Sequence, residues 1–240
     1  MKNKQSHIVC INGSGRANGE TYLVIQNLLT QLQNKTTNEF IIEDISFYIR
    51  NLKMCKGCLN CFHFGECHID DDISIVKKKL IEADLIIIGT PVYMGTVTGV
   101  MKNLLDRLAS WCHLLSLLGK RCILVVVTQN SGLDDTLEYM YKVVNYFGLD
   151  VIGVIGIRKN KLDTYLNLQI DIVVNRYNRI TKYSERIFPN FYKNGIFENL
   201  KTVYMMQYKM GVKSHEVEYW EKKGYFEKNL DQILKQVDNE

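Results

Sequence analysis

Proline is nearly missing from this chain. Pro91 and Pro189 are the two in 240 residues, and no Pro-, Gly- or Ser-rich tract separates one part from another. That leaves no recognisable linker and points to one main folding unit. For this unit, 46% apolar residues and a mean hydropathy of −0.12 supply a sufficient core. No apolar run approaches the ~18 residues of a membrane helix, so no membrane partner is expected. Excess charge is also small: the formal net value is +4, and the surplus, which lies beyond residue 150, is interleaved with acids. A nucleic-acid footprint would be a denser basic patch, so no nucleic-acid partner is expected either. Met1 to His7 lead straight into an apolar run with no signal-peptide pattern, and a cytoplasmic location is the expectation.

What is present is a set of β-branched runs: His7 to Asn12, Asp84 to Gly89, Cys122 to Val127 and Val151 to Gly156. Their near-continuous hydrophobicity implies burial on both faces, the mark of a parallel sheet covered by helices. A fifth run, Glu39 to Ile45, mixes in polar residues and suits an outer strand. Helical period fills the gaps at Thr21 to Gln33, Asp71 to Ala83, Val97 to Leu108 and Leu133 to Phe147. Asp70, Asp71 and Asp72 suit a helix N-terminus, and Gly148 suits a helix end. The alternation predicts a doubly wound α/β fold with a five-stranded parallel sheet, whose ligand site lies at the carboxyl ends of the strands. Residues 1–157 carry that pattern. Residues 158–240 form an extension, with a helical segment over Asn167 to Ile187 that Pro189 breaks. Beyond it the pattern turns irregular and aromatic, too apolar for disorder, and is expected to pack on the core or on a second subunit.

The seven cysteines are unevenly placed. Cys10, Cys112 and Cys122 lie in apolar or helical contexts and read as inert core residues. Cys55, Cys58, Cys61 and Cys67 form a C-x2-C-x2-C-x5-C run within the loop 50–70. An odd total in a reducing compartment argues against a disulfide framework, and thiols this close point to metal binding or redox work. The compact run is of the ferredoxin type, in which Cys67 would complete a 4Fe-4S cluster. Zinc normally uses two separated C-x2-C knuckles, and no second one exists here; His63 and His68 are possible substitute ligands. Free thiols beside another cofactor are a third reading.

Three loops follow central strands and should converge. Gly13 to Thr21 offers small residues, hydroxyls and Arg16 at a helix N-terminus, where free N–H groups and the helix dipole favour a phosphate. No Gly-Lys-Ser/Thr follows it and no GxGxxG is present, so it suits a terminal monophosphate such as that of FMN; an ordinary tight turn is the alternative. Thr90 to Thr98 brings Pro91, Val92, Tyr93, Met94 and Gly95, a surface able to line a flat ring unless Tyr93 and Met94 are core filler. Thr128 to Gly132 is polar and could close over the ring through Thr128 and Asn130. Lys102 and Asp106 are spaced for a surface ion pair, with Arg107 placed on the same side of the helix.

The phosphate loop, the cysteine run followed by Asp70-Asp71-Asp72, and Gly89 to Gly95 ahead of Lys102 and Asp106-Arg107 together resemble the NADPH-dependent FMN reductase-like group of flavodoxin-fold proteins. Within it the resemblance is to the iron–sulfur flavoproteins, over roughly residues 7–157. It implies FMN, a flavodoxin-like sheet, and dimers or tetramers in which cluster and flavin exchange electrons across subunits. By position, Ser14, Arg16, Asn18, Gly19 and Thr21 would hold the phosphate, and Pro91, Val92, Tyr93, Met94 and Gly95 would border the ring. Gly15 replaces a proline usual in the family, and Gln129-Asn130-Ser131 replaces a glycine-rich loop.

The expectation is an FMN-dependent oxidoreductase with chemistry at flavin N5 and no side chain required as catalytic acid or base. NAD(P)H or a ferredoxin-like protein would donate electrons. The acceptor would be a small molecule, namely a quinone, nitro compound, oxygen or peroxide. The alternatives are an electron-transfer carrier without its own substrate and, more remotely, a zinc-stabilised interaction module.

Overall fold

The computed structural model describes residues 5–159 and 162–237; residues 1–4, which the sequence reading places ahead of the first strand, and 160, 161 and 238–240 lie outside them. The elements run β1 (Ser6–Asn12), α1 (Glu20–Lys35), β2 (Phe40–Asp44), α2 (Ser46–Asn51), α3 (Asn60–Phe64), α4 (Ile73–Glu82), β3 (Leu85–Pro91) and α5 (Gly99–Arg107). They continue with α6 (Trp111–Leu114), β4 (Arg121–Thr128), α7 (Leu133–Tyr146), β5 (Asp150–Arg158), α8 (Leu162–Tyr183), α9 (Phe191–Lys209), α10 (His215–Lys222) and α11 (Leu230–Val237).

The five strands form one all-parallel sheet in the order β2-β1-β3-β4-β5. The apolar runs of β1, β3 and β4 take the inner positions, where helices cover both faces, and the half-polar β2 lies at one edge; the equally apolar run of β5 takes the other edge, where Val154 is 40% exposed, so the expected burial on both faces does not hold for it. On one face α1 and α8 bury Val24, Leu28, Leu32, Ile170 and Val174 against Ile8, Ile87 and Val125. On the other, α4, α5 and α7 bury Val76, Leu80, Leu104, Met140 and Val144 against Val9, Ile86 and Leu124.

Two expectations about the C-terminal region change. The helix after β5 ends at Tyr183, short of Ile187, because Ser184 adopts a left-handed conformation (φ +47°) that stops it. The aromatic segment beyond Pro189 is not irregular: it folds as α9, α10 and α11. Asn190 and Ser214 cap α9 and α10, accepting the N–H groups of Lys193 and Val217 at 2.8 and 3.3 Å. These helices share a third core in which Phe197, Tyr204, Trp220, Tyr225 and Phe226 pack with Leu115 and Leu118. Aromatic contacts between α9 and α10 and the turn after α10 hold this region together, while α11 adds an apolar stripe of Leu230, Ile233 and Leu234 at helical spacing. Among the described residues, no helix is long and apolar enough to cross a membrane.

Candidate functional site

Parallel strands all point the same way, so the loops after β1, β3 and β4 leave one edge of the sheet. The chain reverses its winding between β1 and β3, and the crevice there is where an open α/β sheet takes its ligand. Direct bonds hold the three loops together at that place. Gly13 N–H donates to the Gly89 carbonyl at 2.7 Å. The Thr98 hydroxyl donates to the Gly13 carbonyl while accepting the Met101 N–H at 3.0 Å, so the residue that caps α5 also ties the first loop to the second. Val92 N–H donates to the Val127 carbonyl at 2.9 Å, and the Thr136 hydroxyl to the Gly95 carbonyl at 3.4 Å. A Cβ at Gly132 would lie 3.0 Å from Gly95 Cα, so the second and third loops touch.

Within the first loop, Asn12 Oδ1 accepts the Ser14 N–H at 3.1 Å and Ser14 Oγ accepts the Arg16 N–H at 3.0 Å. Asn12 N–H in turn donates to Ser46 Oγ at 2.7 Å, and the Ser46 hydroxyl donates to the Asp44 carboxylate. A chain of bonds thus runs from exposed Asp44 at the end of β2 through buried Ser46 and Asn12 into the turn. Ser14 and Thr21 are buried, while Arg16 and Asn18 face solvent. Gly19 occupies the N-cap of α1 and has no side chain with which to satisfy the first-turn N–H groups. A 16-residue helix therefore presents its positive end to this turn.

The second loop leaves Tyr93 47% exposed and Met94 fully exposed, so neither is core filler. Met94 (φ +49°) and Gly95 (φ +80°) are both left-handed; for Met94 that conformation costs on the order of 1 kcal/mol. In the third loop, the buried Thr128 uses its hydroxyl on the Ser131 carbonyl at 2.6 Å, and Asn130 is exposed. The structure therefore gathers Ser14, Arg16, Asn18, Gly19, Thr21, Pro91, Val92, Tyr93, Met94, Gly95, Thr128 and Asn130 onto three touching loops.

The cysteine loop is a separate body on the α4–α5 side. Cys55 and Cys58 are exposed, and Cys61 and Cys67 are half-buried. Cys58 Sγ lies 3.4 Å from His68 Nδ1. Among the described residues, no three Cys, His, Asp or Glu side chains form a metal-holding group, so the four thiols share a loop without converging. The donor chemistry suits a soft metal or an iron–sulfur cluster, and their arrangement here is not a closed ligand set. Cys10 and Cys122 are buried, and burial raises both thiols; the Cys112 thiol is pushed up to about 12 by the same cause. Burial thus disfavours the reactive thiolate at all three.

The neck of that loop holds residues the sequence reading missed. Arg107, grouped there with Lys102 and Asp106, is instead buried, at 2% exposed, and it grips Asp71 in a bidentate pair at 2.6 and 2.8 Å. It also donates to the Lys53 carbonyl at 2.6 Å. Asn103 Nδ2 donates to the carbonyls of Leu52 and Lys53, and Asn103 Oδ1 accepts the Cys55 N–H at 3.0 Å. Lys102 and Asp106 do form the expected exposed pair, at 2.6 Å. One signal for the neck was available: Arg107 falls among Leu104, Leu105 and Leu108, on the stripe of α5 that faces the core. Asn12 and Thr98 entered the sequence reading only as the ends of segments and Ser46 not at all, because the Asn12–Ser46 and Thr98–Gly13 bonds join residues far apart in the chain.

A flavodoxin-like sheet with three loops joined at its switch point defines a class of flavin-binding folds. Residues 6–157 match the NADPH-dependent FMN reductase family, and the chain belongs to it. By that membership it is an FMN-dependent oxidoreductase. It is 32% identical to an iron-sulfur flavoprotein of Methanocaldococcus jannaschii over 62% of this chain and 75% of the relative. It is 31% identical to one of Archaeoglobus fulgidus, with 60% and 65% covered, and 30% identical to one of Clostridioides difficile, with 63% and 67% covered. Among solved structures, an NADH:FMN oxidoreductase superposes with a TM-score of 0.56 at 18% identity, over 73% of this chain and 89% of that one. At that identity the likeness speaks for the fold alone.

Proposed function

We propose that the three-loop rim holds one FMN and that the protein passes electrons from NAD(P)H or a reduced ferredoxin-like donor to a small acceptor such as a quinone, nitro compound, oxygen or peroxide. The observation that carries this is the direct bonding of the β1, β3 and β4 loops at the switch point. Bound flavin would supply the electron transfer at N5. The chain's part is to bind and orient. Because Ser14 Oγ already accepts the Arg16 N–H, what that hydroxyl offers a phosphate is its proton. Arg16 adds a charge-assisted bond, Thr21 a hydroxyl, and Asn18 and Gly19 the open backbone at the start of α1. Pro91, Val92, Tyr93, Met94 and Gly95 then border the ring. Asn130 reaches its polar edge, and Thr128 holds the third loop in shape.

Arg16→Ala should weaken FMN by about 10- to 100-fold, the loss of a charge-assisted bond worth roughly 1.5–3 kcal/mol. Riboflavin, which lacks the phosphate, should bind the variant as it binds the parent protein. Equal losses for both in a fluorescence titration would remove the phosphate assignment. Turnover with NADPH and a quinone distinguishes the enzyme from a flavodoxin-like carrier, which would exchange electrons only with protein partners.

The reading extends to a 4Fe-4S cluster on Cys55, Cys58, Cys61 and Cys67, supported by their spacing and by the names of the iron-sulfur flavoprotein relatives. The thiols would have to close around it as it is inserted. After anaerobic purification, Cys58→Ser should lose iron and acid-labile sulfide yet retain FMN, because the two sites use separate loops. Zinc in place of iron would contradict the reading. We further read residues 1–157 as the flavin unit and 158–240 as an extension, in a cytoplasmic homodimer or tetramer. The exposed Leu23, Leu168 and Ile172 on α1 and α8 provide apolar surface for assembly.

A further inference from the structure

The cysteine loop is held at two places. Its neck is fixed by Arg107, Asp71 and Asn103, as described above. Its far turn, α3 and Gly65, touches the C-terminal helices, which lie beyond the residues matched by the family. Two contacts make this junction. The Phe62 ring, next to Cys61, stands edge-on to the His113 imidazole with centroids 4.8 Å apart. His113 Nδ1 is 3.0 Å from the Tyr204 hydroxyl of α9 and 3.6 Å from Glu216 of α10, and its carbonyl accepts the Trp220 Nε1–H at 2.9 Å. Gly65 ends α3 with φ +77° and packs against the His215 ring, where a Cβ would lie 2.5 Å from the imidazole Cε1. Two backbone demands therefore meet at residue 65: left-handed geometry and room for His215.

We propose that the C-terminal helices clamp the far turn of the cysteine loop, with His215 and the His113–Tyr204 pair as positioning residues for Cys61 and Cys67. This deepens the cluster reading, since a four-thiol site needs its ligands held within a small volume before metal arrives. The loop spans residues 53–71 and contains only the single-turn α3 of its own regular structure, so external anchors must limit its freedom. The neck restrains Cys55, and the C-terminal clamp restrains the other end.

The test uses the full-length protein in two states. In metal-free protein, thiol alkylation is followed residue by residue by mass spectrometry. His215→Ala and Gly65→Ala should each speed labelling of Cys61 and Cys67 several-fold relative to Cys55, whose N–H stays bonded to Asn103. Tyr204→Phe, which removes one hydroxyl and leaves the aromatic packing, should give a smaller change in the same direction. It also serves where a larger change unfolds the C-terminal helices, as far-UV circular dichroism would show. In anaerobically reconstituted protein, the same variants should retain less iron than the parent. Unchanged Cys61 and Cys67 labelling in all three variants would overturn the clamp even if the parent takes up a full cluster. A parent that takes up no iron would defeat the cluster reading, while the labelling rates would still decide the clamp.

Discussion

Arg107 shows how one side chain can organise a loop. Its guanidinium is fully out of solvent and meets a nearly buried Asp71. Such a pair adds little net stability over an apolar one, but removing one partner leaves the other buried and unpaired. Arg107→Met should therefore cost about 3–5 kcal/mol in urea unfolding. Arg107→Lys should recover only part of that, since a lysine cannot make the bidentate contact. The pair also sets a pH dependence. Burial alone would raise the Asp71 carboxyl, but Arg107, with the N–H groups of Lys53 and Ile73, outweighs it and holds the group below its usual 3.8. A depressed carboxylate stabilises the fold above its unfolded pKa and loses that contribution as pH falls through the folded value. The parent protein should keep this contribution down to about pH 3.8 and lose it below. In Arg107→Met only the N–H groups of Lys53 and Ile73 are left to oppose the burial penalty on Asp71, so acid unfolding should begin at higher pH. Coincident acid transitions in the two proteins would contradict this account.

At the scale of elements, α5 joins the two candidate sites. Its N-cap Thr98 holds Gly13 in the phosphate turn, and its last residue, Arg107, holds the cysteine neck. Thr98→Val keeps the volume but removes both the cap and the tie. It should cost about 1–2 kcal/mol and weaken FMN, whereas Thr98→Ser, which keeps the hydroxyl, should stay near the parent in urea midpoint and FMN titration. The strands and the three loops were legible in sequence because their signals are local: β-branched runs, a Gly-rich turn and a proline at the end of a strand. The outer position of β2 was legible from its polar content alone. Thr98, Asn12 and Arg107 were not, because their work is done across 85, 34 and 36 residues of chain. In the C-terminal region α9 was illegible for a related reason, since its buried aromatic residues, Phe197 and Tyr204, meet rings from α10 and the turn after it, whereas α11 carries Leu230, Ile233 and Leu234 at helical spacing and was open to reading.

At the scale of the whole molecule, the question is whether the C-terminal helices unfold with the sheet. Their core is completed by Leu115 and Leu118 from the segment before β4. The start of α9 is pinned by Lys193, 1% exposed and 3.1 Å from Asp150 at the head of β5, and by Asn190 on Asn145 of α7 at 2.8 Å. A buried cation joined to a strand leaves these helices no low-cost route to detach alone. Unfolding should then be a single cooperative transition. Trp111→Phe leaves Trp220, in the centre of the third core, as the one tryptophan and a local probe of that region. FMN at about 100 times its Kd should stabilise the native state by roughly 2.7 kcal/mol. Because ligand and probe occupy different ends of one cooperative unit, the Trp220 fluorescence midpoint should rise with FMN by as much as the far-UV circular dichroism midpoint. A Trp220 transition that occurs first and ignores FMN would show that the C-terminal helices fold as an independent unit.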